Sequence, residues 1–177
     1  MRPFVLLATA VVFAVLSGCG GAADDRTELT AIGLESLDGI YIIDDTDSSE
    51  NIVSLVPAGT DIGPSLRLDS RRPLRLRIGA VGDIDVENAQ LVYEASLRSE
   101  ALQGQAYLEM WCWFSDRGEY FSRGLDNPVS GTSDWAAHST PFYLKAGENP
   151  DSVFLNVVVD GVGTVWVAGP RLLRMPL

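Results

Sequence analysis

Cysteine, histidine and basic residues are all scarce in this 177-residue chain, and each shortage excludes something. The two cysteines are Cys19 and Cys112. Cys19 closes an apolar N-terminal segment, which leaves Cys112 alone in the body of the chain and rules out an internal disulfide framework. His138 is the single histidine, so no second imidazole or nearby thiol can complete a zinc-type site. No Gly-x-Ser-x-Gly elbow offers a hydrolase nucleophile. Thirteen basic side chains stand against 24 acidic ones, a formal charge of −11. That balance excludes nucleic acid, whose phosphates reward clustered Lys and Arg, and an electrostatic hold on anionic lipid. A sustained helical period is also missing, so helices are expected to be short or absent.

What is present begins with Arg2 and the uncharged run of residues 4–16. Thirteen apolar residues are too few to cross a hydrocarbon core of roughly 30 Å as a helix, but they suit a signal peptide. The run ends in Leu16-Ser17-Gly18-Cys19, which resembles the lipobox of bacterial lipoproteins. That resemblance implies cleavage before Cys19 and acylation of its thiol, with the lipid as the membrane partner. Two or three acyl chains anchor stably, at about 0.8 kcal/mol per buried CH₂. Gly20 stands where an Asp would retain a Gram-negative lipoprotein at the inner membrane, so the resemblance points to the outer membrane if the cell has one. The small and polar residues that follow read as a tether. The expected organisation is a signal peptide over 1–18, a lipidated tether over 19–29 and one domain over 30–177. The mature chain loses Arg2 and no acid, so its formal charge becomes −12.

Within that domain the dominant period is two, interrupted by turn residues every 8–12 positions, which predicts an all-β sandwich or barrel. Leu66-Arg67-Leu68 and Leu74-Arg75-Leu76-Arg77-Ile78 alternate strictly, as strands with one face inward do. Residues 90–98 and 105–114 read as two longer strands separated by a loop near Leu102-Gln103-Gly104. Val153–Val159 and Thr164–Ala168 read as the last two, joined by a turn at Asp160-Gly161-Val162-Gly163. Cys112 lies in an apolar strand and reads as a small core residue.

Residues 106–173 carry a motif series: Leu108-Glu109-Met110-Trp111-Cys112-Trp113-Phe114, Leu125-Asp126-Asn127-Pro128, Gly131-Thr132-Ser133-Asp134-Trp135 and Gly161-Val162-Gly163-Thr164-Val165-Trp166. The series resembles the galactose-binding-domain-like jelly roll shared by many carbohydrate-binding modules. It implies a jelly-roll β-sandwich with a possible glycan ligand. Gly131, Gly161 and Gly163 then suit turns of positive φ, and Trp135 and Trp166 are expected to fill the core. Many carbohydrate-binding members hold a structural calcium with an acid after the last Trp. Val165-Trp166-Val167-Ala168-Gly169 has no carboxylate there, which puts that site in doubt.

Candidate functional residues follow from the alternation. Ala106, Leu108, Met110, Cys112 and Phe114 are assigned to the core, so Tyr107, Glu109, Trp111 and Trp113 share the opposite face. If residues 90–98 pair with this strand as a hairpin, Glu94, Ser96 and Arg98 join that face. Aromatic planes beside carboxylate and guanidinium suit sugar recognition. The competing reading, and the preferred one, is that the N-terminal half covers this face and makes the two Trp residues packing groups. The acidic run Asp44-Asp45-Thr46-Asp47-Ser48-Ser49-Glu50 reads as a solvated turn, since it lacks the glycine and spacing of an EF-hand. Glu94 and Glu109 are the only pair worth weighing for glycosidase chemistry. The residues favour a non-catalytic binding module, with no cofactor or metal, for a glycan or for an envelope protein.

Overall fold

A computed structural model describes residues 25–43, 50–57 and 62–177. The Leu16-Ser17-Gly18-Cys19 ending and the acidic residues 44–49 lie outside the described residues. The chain is all-β, with no helix among the described residues. Nine strands follow one another: β1 (Thr27–Ala31), β2 (Tyr41–Ile42), β3 (Ile52–Val56), β4 (Ser65–Ser70), β5 (Leu74–Gly82), β6 (Ala89–Phe114), β7 (Gly118–Arg123), β8 (Val129–Leu144) and β9 (Ser152–Pro176).

Two very long strands form the spine. β6 and β9 run antiparallel over almost their whole lengths, from Ala89 opposite Pro176 to Trp113 opposite Ser152. Along its other edge β9 pairs in turn with β5, β4 and β1. Along its other edge β6 pairs with β8 and β7. The long strands therefore pass from one half of a sandwich into the other. One half has the order β2-β5-β9-β6-β7, and the other is built on β3-β4-β9-β6-β8. Each strand turns alternate residues inward, as the pleat requires. Leu74, Leu76, Leu108, Met110, Leu155 and Val157 from the first half meet Leu66, Leu68, Leu91, Leu97, Val165 and Val167 from the second in a single core. Each buried Leu or Val contributes about 1.5–3 kcal/mol relative to exposure. Cys112 is wholly inside this core, and burial pushes its thiol up to about 12. It is a packing residue, as the alternation implied.

The structure corrects the strand map in four places. Residues 90–98 and 105–114 are one strand, β6, and they do not pair with each other as a hairpin. Asp160-Gly161-Val162-Gly163 is strand interior in β9, not a turn between strands. Thr27–Ala31, which overlaps the expected tether, pairs with Arg171–Arg174 of β9 and so belongs to the folded domain. Trp135 and Trp166 are half-buried and absent from the core. Trp166 lies on the outside of the second half, between Arg67 and Arg98, whose guanidinium carbons sit 5.5 and 4.7 Å from its ring.

The glycines in the middle of the spine explain why two elements look broken in the sequence. Gly104 and Gly161 face each other where β6 and β9 bend. A Cβ on Gly104 would sit 2.1 Å from the Asp160 carbonyl oxygen, and one on Gly161 would sit 2.1 Å from that of Gln103. Backbone has replaced side chain at this crossing, so Gly161 is required for space and not for a positive φ. Gly161→Ala should destabilise the domain by about 1–3 kcal/mol, the usual range for overpacking. For a chain of this size that is a drop of very roughly 2–12 °C in the midpoint of a thermal melt. An unchanged midpoint would show that the crossing can open at no cost.

Candidate functional site

The outer surface of the β2-β5-β9-β6-β7 half collects the polar and aromatic residues that the strand alternation turns away from the core. One row crosses all five strands: Tyr41, Arg77, Asn156, Glu109 and Arg123 are consecutive register partners. Beside it lie Arg75, Val158 and Tyr107, and on the other flank Phe154, Trp111 and Phe121. Trp113 follows, paired with Ser152 and Glu119.

Glu109 is the centre of this surface and is 0% exposed. Its Oε2 accepts a hydrogen bond from Arg123 Nε at 2.7 Å, and Oε1 accepts one from Asn156 Nδ2 at 3.2 Å. Arg75 Nε lies 2.8 Å from Oε1 as an ion pair without a hydrogen bond. A carboxylate this deep is tolerable only because charges and donors surround it. The bond to Glu109 holds Arg123 above the ordinary arginine range. Tyr107, next to this cluster and largely buried, has its phenol pushed up mainly by burial, with Arg123 acting the other way.

Aromatic rings flank the charged row. Trp111 and Phe121 are 5.1 Å apart between ring centroids and tilted by 36°. Arg123 lies 4.5 Å from the Phe121 ring, Arg77 4.0 Å from the Phe154 ring and Arg75 5.9 Å from the Trp111 ring. Phe121 and Tyr41 are each 51% exposed and Trp113 is 38% exposed. The indole N–H of Trp111 is buried and has no partner among the described residues. Two adjoining grooves cross this surface. One, of about 320 Å³, is lined by Arg75, Tyr107, Arg123 and Val158. The other, of about 270 Å³, is lined by Arg75, Arg77, Trp111 and Asn156.

The sequence candidates divide. Tyr107, Glu109, Trp111 and Trp113 do share one outer face, but Tyr107 and Glu109 are buried within it and only the Trp pair is open to solvent. Among the described residues the N-terminal half does not cover the face: β2 and β5 extend the sheet sideways, and they add Tyr41, Arg75 and Arg77 to it. Glu94 and Arg98 are not part of it. They lie in the other half of β6, where Glu94 pairs with Arg26 at 2.9 Å and Arg171 at 3.0 Å, and Arg98 covers Trp166. The Glu94–Glu109 glycosidase pair is therefore not assembled, since the two carboxylates sit in different halves and Glu109 is sealed by its cations. His138 is buried in β8, with Nδ1 2.8 Å from the Asn127 carbonyl oxygen. No cluster of three or more metal-ligating side chains occurs among the described residues.

Arg75, Arg77, Arg123, Asn156, Tyr41 and Phe121 carry no sequence motif that marks them as site residues. The alternation of Leu74-Arg75-Leu76-Arg77-Ile78 was visible and already placed both arginines opposite the core. Their neighbours were not visible, because sheet order is a long-range property.

Neither a protein-family model nor a curated protein matches the chain. Solved structures do resemble it. The CBM22-1–GH10 modules of Clostridium thermocellum endo-1,4-β-D-xylanase 10B, complexed with xylohexaose, match with a TM-score of 0.61 at 12% identity. That match covers 83% of this chain but 28% of the other, so this chain spans well under half of that protein. The CBM22-1 xylan-binding domain from Paenibacillus barcinonensis Xyn10C matches with a TM-score of 0.60 at 12% identity, over 88% of this chain and 99% of that one. A xylan-binding domain of the CBM22 type matches with a TM-score of 0.54 at 9% identity, over 82% and 93%. Identities this low establish a shared β-sandwich fold, and one fold hosts many functions.

Glu109 should matter for stability as well as for shape. Removing one partner of a buried ion pair costs about 3–5 kcal/mol, and here the partner guanidiniums keep some water. Glu109→Gln should therefore lower the unfolding free energy by about 2–4 kcal/mol in urea titration. A variant as stable as the parent would mean that Arg75 and Arg123 do not depend on this carboxylate.

Proposed function

We propose that this chain is a lipid-anchored, non-catalytic module whose outer β2-β5-β9-β6-β7 surface binds a glycan. The observation that carries the reading is the combination on one open face. Solvent-exposed rings (Tyr41, Trp113, Phe121) and the half-open Trp111 flank the guanidiniums of Arg77 and Arg123, which the buried Asn156 and Glu109 hold in place. Sugar rings present C–H faces and hydroxyl edges, so planes beside donors match both. Binding sites commonly combine apolar walls with a few placed polar groups in this way. The fold shared with the xylan-binding modules adds support at the level of architecture.

The test is titration calorimetry of the domain against a broad polysaccharide panel that includes xylan. Phe121 is exposed, so Phe121→Ala should keep the fold while weakening binding about tenfold, or about 1.4 kcal/mol. Trp111→Ala should weaken it more, because central, largely desolvated aromatics carry most of an interface's energy. Silence across the whole panel from folded protein would sink the glycan reading and leave the same face as a contact for an envelope protein.

The anchor is a proposal of its own, supported by the Leu16-Ser17-Gly18-Cys19 ending and the apolar run before it. The outer membrane is its destination in a Gram-negative cell, because Gly20 follows the cysteine. In cells fed labelled palmitate the parent chain should take up label and sediment with membranes. Cys19→Ser should do neither; label retained by that variant would place the lipid elsewhere.

A further inference from the structure

The three guanidiniums of the candidate face are held in an unusual common way. Each is fixed through Nε: Arg75 against Glu109 Oε1 at 2.8 Å, Arg123 to Glu109 Oε2 at 2.7 Å and Arg77 to Asn156 Oδ1 at 3.3 Å. Of their terminal nitrogens, only Arg77 Nη1 is engaged, donating to the Tyr41 hydroxyl at 3.2 Å. The remaining terminal nitrogens make no hydrogen bond among the described residues. Fixing Nε aims the rest of the planar fork while leaving it free, and such a fork matches a carboxylate with two parallel N–H bonds. All three side chains line the two adjoining grooves, with Arg75 common to both.

The charges around them do not cancel evenly. Glu109 is sealed and already shared between Arg75 and Arg123. Glu119 lines only the second groove and Asp160 only the first, and neither has an ion pair to these arginines. Arg77, between Tyr41 and Phe154, has no acidic partner among the described residues. A cation with no acidic partner among the described residues, set beside aromatic rings, is notable on a chain whose formal charge is −11. A neutral sugar would offer these forks only hydroxyl oxygens. A uronic acid offers a carboxylate of the fitting shape and sign.

We propose that the ligand is an acidic glycan, with a uronate carboxylate received by the free ends of Arg77 and Arg75 and a neighbouring sugar ring laid against Trp111 and Phe121. This rests on the glycan-binding reading of the face and narrows it to one class of polymer.

The experiment compares polymers that share a backbone and differ in charge. Polygalacturonate is set against its fully methyl-esterified form, and glucuronoxylan against its carboxyl-reduced form, by calorimetry on the unmodified domain. In at least one pair the acidic member should bind about tenfold or more tighter, the scale of one charge-assisted hydrogen bond. Arg77→Gln should bring the acidic polymer down to the affinity of its neutral partner, and Arg77→Lys should restore part of the difference. Equal affinity within both pairs, while some glycan binds, would overturn the acidic assignment and leave the glycan reading standing. So would binding of polyglutamate as tightly as the acidic polymer, which would show attraction to charge without a sugar. If neither these polymers nor the wider panel bind, both readings fall together. The pairs are read on the parent protein, so the outcome does not depend on either variant folding.

Discussion

The close approach of β6 and β9 at Gly104 and Gly161 is the constraint on which the other features depend. Two strands of 26 and 25 residues could not lie flat in one sheet and also enclose a core. Bending them together lets one pair of strands serve both halves of the sandwich, and the bend brings backbone where a side chain would otherwise stand. Everything flanking the spine then has its place set by register. β5 must lie beside the first part of β9, and β7 beside the last part of β6. Those two neighbours supply Arg75, Arg77 and Arg123. The candidate face is thus a by-product of how the spine is partnered.

On that face the electrostatics and the packing act together. Burying the Glu109 carboxylate costs solvation, which the flanking cations and the Asn156 amide offset. In return Arg75 and Arg123, with side chains normally rich in rotamers, are pinned by one nitrogen each. Preorganised side chains give up less freedom when a ligand arrives. The rings that lie against the same guanidiniums stiffen them further through cation–π contact. A buried carboxylate here acts on recognition through the groups that it holds, without touching the ligand.

The local part of this was legible in the chain, and the long-range part was not. Period two assigned Leu108, Met110 and Cys112 inward and Trp111 and Trp113 outward, because the pleat depends only on neighbouring residues. It also showed Arg75 and Arg77 opposite the core. The same pattern could not reveal that 90–98 and 105–114 are one strand. A glycine in a tight turn and a glycine under a crossing backbone look identical in sequence. That ambiguity led Glu94 and Arg98 to be grouped with Trp111, although they lie in the other half. Size alone suggests a core position for Trp166. Its parity in β9, between Val165 and Val167, puts it outside, where Arg67 and Arg98 cover it.

The alternation along β5, β6 and β9 also separates two kinds of information. In each strand the inward set of residues is mostly aliphatic, and the outward set carries most of the rings and charges. Substitution in the outward set leaves the core volume untouched, while substitution in the inward set leaves the recognition surface unchanged to first order. Fold and ligand preference can then diverge at different rates within the same few strands. A shared architecture at 9–12% identity is the kind of distance such a separation permits. Over that distance, a shared scaffold carries little information about the ligand.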